Sequence, residues 1–116
     1  MDIKIREASK NDFDRLEKIL LQNEMLSCPE IDGKEAMYRI HEIAGRYFFI
    51  AEVEGIIVGM IRGCYDGSRV LIHQMAVDKN YQRNGIGKRI IQIISVYYIY
   101  KQFLKDLRKM VLPQFL

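Results

Sequence analysis

A chain of 116 residues holds one domain and one core, with no room for a second. Hydrophobic residues at 49% and charged residues at 28% exclude a disordered chain. The formal net charge of +3 is scattered, which excludes the clustered basic stripe of a nucleic-acid binder but suits a polyanionic small ligand.

The opening Met1-Asp2-Ile3-Lys4-Ile5 lacks the apolar core of a secretory signal. Residues 3–7 alternate apolar and polar, the pattern of a half-buried strand. Ser9 and Asp12 have the spacing of a capping box. Phe13, Leu16, Ile19 and Leu20 then recur at helical spacing, so a helix is expected to about Asn23, broken by Ser27-Cys28-Pro29. Asp32 and Glu35 repeat the cap signal, and Met37, Ile40 and Ile43 mark the inner face of a second helix ending near Gly45.

From Arg46 the period changes. Tyr47 to Ala51 and Ile56 to Ile61 are aromatic and β-branched runs flanking Glu54-Gly55, a hairpin signal. Asp66-Gly67-Ser68 predicts a further turn, and Val70 to Val77 another strand. Beyond a Gly-rich segment, Ile86, Ile90, Ile93, Ile94, Tyr97, Leu104 and Leu107 fall on one side of a long helix. Lys109 to Leu112 reads as one more short strand, stopped by Pro113. A helix between neighbouring strands implies a parallel crossover, so an α/β (α+β) fold with a mixed sheet is expected, in the order β-α-α-β-β-β-α-β. The most apolar stretch, 90–99, is interrupted by Gln92 and Ser95 and falls short of the ~18 consecutive apolar residues of a membrane span. A cytoplasmic protein with no membrane or nucleic-acid partner is expected. Cys28 and Cys64 are too few and too far apart for a disulfide framework or a zinc site, and read as unpaired thiols serving as small apolar residues. No metal is expected.

The chemistry is carried by Gln82-Arg83-Asn84-Gly85-Ile86-Gly87. A Gly-rich turn between strand and helix aims several backbone N–H groups one way, where the helix dipole also favours an anion. A Cβ at Gly85 or Gly87 would hold phosphates off the backbone, and Arg83 and Lys88 flank the turn. Two rival phosphate motifs fail. A dinucleotide fingerprint needs a third small residue where Ile90 stands. A P-loop needs Ser or Thr after Gly-Lys, but Arg89 follows Gly87-Lys88 and no Gly occupies position 82.

The segment resembles the Q/R-x-x-G-x-G/A signature of the GNAT acetyltransferase superfamily. Met75-Ala76-Val77-Asp78 and Tyr81 resemble that family's approach to the loop, and Ile5-Arg6-Glu7-Ala8, Glu54-Gly55 and Val58-Gly59 its N-terminal half. The likeness makes 1–116 a single acetyltransferase-like domain. It implies an acetyl-CoA-dependent N-acetyltransferase acting by direct transfer on a small amine or a peptide amine. The backbone of Met75, Ala76 and Val77 would pair with the pantetheine arm, and Gln82, Arg83, Asn84, Gly85, Ile86, Gly87 and Lys88 would hold the pyrophosphate. His73 is the candidate base: it lies two residues before Met75, hence on the same face, and imidazole changes charge near neutral pH. Glu52 is a weaker candidate, and His41 reads as a surface residue.

Family members continue with a further helix and one or two strands, bearing a Tyr that protonates the departing thiolate. Tyr97, Tyr98 and Tyr100 stand on the long helix and read instead as packing residues. A chain lacking those C-terminal elements would expose a sheet edge, and a homodimer is expected to cover it. The alternative function is a non-catalytic acyl-CoA-binding or assembly module derived from a truncated acetyltransferase.

Overall fold

The computed structural model describes residues 1–43, 46–65 and 68–97. The strands are β1 (Ile3–Glu7), β2 (Arg46–Val53), β3 (Ile56–Tyr65) and β4 (Val70–Val77). They form one sheet in sequence order, with every described pair antiparallel. The helices α1 (Phe13–Gln22), α2 (Pro29–Asp32) and α3 (Lys34–His41) connect β1 to β2. A fourth helix, α4, runs over 86–97. The strand expected at 109–112, its parallel crossover, Leu104, Leu107, Tyr98, Tyr100, Gly45 and the Asp66-Gly67 turn lie outside the described residues.

Alternation along β2 divides the interior between two layers. Phe48 and Ile50 join Phe13, Leu16, Ile19, Leu20 and Met37 on one face. Tyr47, Ala51 and Val53 meet Ile86, Ile90 and Ile94 of α4 on the other. Tyr97 packs edge-on against Phe49, with centroids 5.7 Å apart, as a packing role requires. The Glu54-Gly55 hairpin has φ of 52° and 78°, the two positive values of a tight turn matched to strand twist.

The Ser9–Asp12 capping box is found in place, and the second cap reading is corrected. A 3-10 turn, Lys10–Asp12, precedes α1, and Asp12 accepts from the Ser9 N–H at 2.7 Å. The N-cap of α3 is Gly33, not Asp32, because Glu17 on α1 reaches the Lys34 N–H at 2.7 Å and supplies the cap from another helix. His41 is half-buried against Phe13, with ring centroids 5.9 Å apart, rather than on the open surface. Both thiols are free, but Cys64 is exposed and is not a core residue.

Arg6 forks onto Asp12 at 2.7 and 2.8 Å and reaches Glu52 at 2.8 Å. That guanidinium, with the Ser9 N–H, holds the Asp12 carboxyl below its usual range despite burial. Glu52 is therefore an ion-pair partner in this structure.

Each of the last two strands carries a bulge. The pairing passes from Ala51↔Gly59 to Glu52↔Ile57, leaving Val58 extra, and from Arg62↔Gln74 to Gly63↔Ile72, leaving His73 extra. Beside the second bulge Tyr47 is buried and donates to the Leu71 carbonyl at 2.8 Å; burial pushes its hydroxyl up to about 12. The ring lies where a side chain at position 63 would go. A Cβ on Gly63 would stand 2.0 Å from the Leu71 oxygen and 2.3 Å from the Tyr47 hydroxyl. Gly63→Ala is expected to destabilise the fold by about 3 kcal/mol, since backbone and ring must both shift. Urea unfolding that gives an unchanged midpoint would contradict this packing.

Candidate functional site

The site is built where β4 ends and α4 begins. Asp78 is 2% exposed, and its N–H bonds the Val58 carbonyl at 2.8 Å. Its carboxylate accepts from the Asn80 N–H at 2.8 Å and pairs with Arg15 of α1. Burial by itself would raise this carboxyl; the Asn80 amide and the Arg15 guanidinium more than offset it and hold it low. Arg15 also donates to the Ile57 carbonyl at 3.1 Å, so one side chain ties α1 to β3 and to the end of β4.

The Val77 carbonyl is closed off in the same way. Asn23 Nδ2 and Gln82 Nε2 each donate to it at 3.0 Å, and Gln82 Nε2 also donates to Asn23 Oδ1 at 2.8 Å. Gln82 thus positions the loop rather than offering its side chain to a ligand. Asn84 likewise folds back, its Nδ2 donating to the Tyr81 carbonyl at 3.0 Å.

Between these anchors the backbone turns through left-handed φ at Arg83 (67°) and Gly85 (78°). Arg89 N–H bonds the Gly85 carbonyl at 3.0 Å, so α4 starts immediately after Gly85. The N–H groups of Ile86, Gly87 and Lys88 are first-turn donors, and they find no acceptor among the described residues. Residues 82–85 and Lys88 are exposed. A groove of about 440 Å³ adjoins them, lined by Gly85, Lys88 and Arg89 together with residues 1–3. Free amides, a helix N-terminus and two cations make a seat for a diphosphate.

The two glycines differ in role. Gly85 is required by its φ, since a Cβ there would meet nothing within 4 Å. At Gly87 a Cβ would point toward β4, in ordinary contact with Met75 at 3.7 Å and Val77 at 3.9 Å. It would not stand between backbone and ligand, which corrects the sequence-based expectation for that position.

β4 is the last strand of the described sheet, and its outer edge has no strand partner among the described residues. Because the Asp78 N–H points to β3, alternation turns Val77 and Met75 outward and Ala76 inward. With the Val77 carbonyl already taken, the open edge offers the Val77 N–H and both polar groups of Met75.

His73 lies elsewhere than its spacing implies. Met75 packs on the α4 face, whereas His73 lines a pocket of about 130 Å³ with Ile40 and Ile43 on the α3 side. The extra residue at the bulge breaks the period of two, so the expected shared face is corrected. Arg15 and Asn23 were not singled out as site residues by the sequence, and Asp78 entered only as part of the Met75-Ala76-Val77-Asp78 approach, with no anchoring role; its place directly after a strand and two residues before Asn80 was the available signal of a turn. Among the described residues no three His, Cys, Asp or Glu side chains converge as metal ligands, and no helix is long and apolar enough to cross a membrane.

A four-stranded sheet with helices on both faces and an open anion loop after its last strand defines a class, and comparison with known proteins identifies it. Residues 16–101 match the acetyltransferase (GNAT) family, and the chain belongs to that family. It is 32% identical over 98 residues to an uncharacterized N-acetyltransferase of Methanocaldococcus jannaschii, covering 81% of this chain and 58% of that relative's length. The fold is also that of the PaiA N-acetyltransferase of Thermoplasma acidophilum in complex with coenzyme A. That match has a TM-score of 0.72 at 17% identity, over 87% of this chain and 74% of that one. An aminoglycoside acetyltransferase from an uncultured soil metagenomic sample, in complex with sisomicin, matches with a TM-score of 0.65 at 27% identity. It covers 86% of this chain and 72% of that one.

Substitution separates the two glycines. Gly85→Ala is expected to cost about 1 kcal/mol through its left-handed backbone. Gly87→Ala is expected to be neutral or stabilising by up to about 1 kcal/mol, because Ala favours a helix over Gly. Thermal unfolding of both variants checks the pair, and equal destabilisation would contradict the assigned roles.

Proposed function

We propose that this chain is an acetyl-CoA-dependent N-acetyltransferase that acts by direct transfer to a small amine or a peptide amine. The observation that carries the proposal is the 82–88 loop, with free first-turn amides and left-handed Gly85, in a chain of the GNAT family. The coenzyme A complex of the Thermoplasma relative supports the same cofactor here.

In this reading the amides of Arg83 to Lys88 hold the pyrophosphate, with the side chains of Arg83, Lys88 and Arg89 adding charge. Met75 and the Val77 N–H hold the pantetheine arm as a strand partner along the open edge of β4. The amine nitrogen attacks the acetyl carbonyl carbon, forming C–N as C–S breaks, and the coenzyme leaves as a thiolate that takes up a proton. An ammonium ion has no lone pair, so a proton must leave it first. His73, exposed at the pocket, is the group we assign to receive it.

Calorimetric titration with acetyl-CoA is expected to show binding, and thiol release across an amine panel to show turnover. His73→Ala is expected to lower kcat about 100-fold while cofactor affinity stays the same. Absence of binding overturns the proposal. Binding without thiol release on any amine would instead make the chain a non-catalytic acyl-CoA-binding module.

The apolar residues Val70, Leu71 and Ile72 are exposed on the edge strand β4, at 39%, 60% and 45%. We assign the exposed segment 70–72, at the end of β4 away from the cofactor edge at Met75 and Val77, to a homodimer contact. Light scattering is expected to give twice the monomer mass, and a monomer at micromolar concentration would remove the assignment.

A further inference from the structure

β3 is apolar except at one position inside the sheet. Arg62 is 8% exposed, and only part of its guanidinium is engaged. Its Nε donates to Gln74 Oε1 at 2.8 Å and its Nη2 to the Ile31 carbonyl at 2.9 Å. Nη1 has no acceptor among the described residues, and no carboxylate among them pairs with the group. Asp32 acts on it only through space. Burial lowers the guanidinium from its ordinary range by more than Asp32 and Cys64 raise it.

A desolvated cation held by neutral acceptors alone is a costly arrangement, and an anion reaching it recovers much of that cost. Arg62 also lines the pocket that holds His73, whose wall is made by Ile40 and Ile43. The volume, about 130 Å³, is that of about four waters in the liquid, enough for a carboxylate and a short carbon chain. One lining therefore contains both a guanidinium with Nη1 free among the described residues, a partner suited to a carboxylate, and the imidazole assigned to take a proton from the amine.

We propose that this pocket binds the acceptor and that Arg62 selects a small amine that also carries a carboxylate, an inference that rests on the acetyl-transfer reading above. The carboxylate meets the guanidinium, the apolar linker lies on Ile40 and Ile43, and the amine end is left beside His73. Gln74 is a positioning residue: it is 6% exposed, fixes the Arg62 Nε, and donates to the Asp32 carbonyl at 3.4 Å.

The test compares thiol release from acetyl-CoA with ω-amino acids from glycine to 5-aminopentanoate, each beside its amide and its decarboxylated amine. At least one acid is expected to exceed its amide in kcat/KM by about tenfold or more, as loss of a charged hydrogen bond implies. Arg62→Met is expected to abolish that preference through KM with acetyl-CoA affinity unchanged, and Arg62→Lys to retain part of it. Amides used as well as their acids, or an Arg62→Met variant that depresses both equally, would overturn the inference. If no acceptor is turned over, the acetyl-transfer reading fails, and the pocket is judged separately. The chain has two histidines, so the His73 imidazole signal can be followed by NMR while N-acetylated acids are titrated. A shift in the full chain that is absent in Arg62→Met supports an anion pocket; no shift with any acid overturns it.

Discussion

A strand alternates its side chains with a period of two, so a single extra residue decides which layer every neighbouring side chain meets. The bulge at His73 makes that decision here. Ahead of the loop it leaves Met75 and Val77 against α4 while Gln74 and Ala76 face the first three helices. It also brings His73 to the same pocket as Arg62. Without it, the imidazole would follow Met75 to the opposite side of the sheet. Tyr47 and Gly63 pin the bulge in place, the one by its bond to the Leu71 carbonyl and the other by lacking a side chain.

The loop and the pocket use different physics. The loop is a backbone device: in our reading its first-turn N–H groups and left-handed turn hold the anion, while its side chains Gln82 and Asn84 fold back to hold the loop itself. The pocket is a side-chain device, in which a buried guanidinium and an exposed imidazole share an apolar wall. β4 separates the two, with its open edge serving the cofactor arm in our reading and its bulged half serving the acceptor.

What was legible in the sequence is what local pattern determines. The Glu54-Gly55 hairpin, the isoleucine stripe of α4, the strand at Val70 and the Gly-rich loop all follow from spacing within about ten residues, and each is found in place. What was not legible depends on partners distant in the chain. No local signal marks Val58 or His73 as extra residues, because a bulge is a property of two paired strands. Glu17 caps α3 from a different helix, and Glu52 meets Arg6 only once β1 pairs with β2. Arg62 within an apolar run was visible, but its meaning needed Gln74 and Ile31 beside it. The loop and strand positions proposed for the site could be read from the chain; the face of His73 and the inward turn of Ala76 could come only from the register.

The anchoring of the loop has a consequence for how the chain reaches its native state. Arg15 and Asp78 are 63 residues apart, Asn23 and Gln82 59, and Asn23 and Val77 54. The entropy of closing so long a segment must be met before any of these bonds can form. The local hairpin of β2 and β3 carries no such cost and can form early. The Gly-rich turn is therefore a late product of folding, completed when the first helix docks against the end of the last described strand. During synthesis that helix leaves the ribosome long before its partners exist. Until residues 78–82 arrive it has only α3 and the β2–β3 hairpin to pack on, through contacts such as Glu17 to the Lys34 N–H and Arg15 to the Ile57 carbonyl, so its polar anchors to the loop are the last to be satisfied.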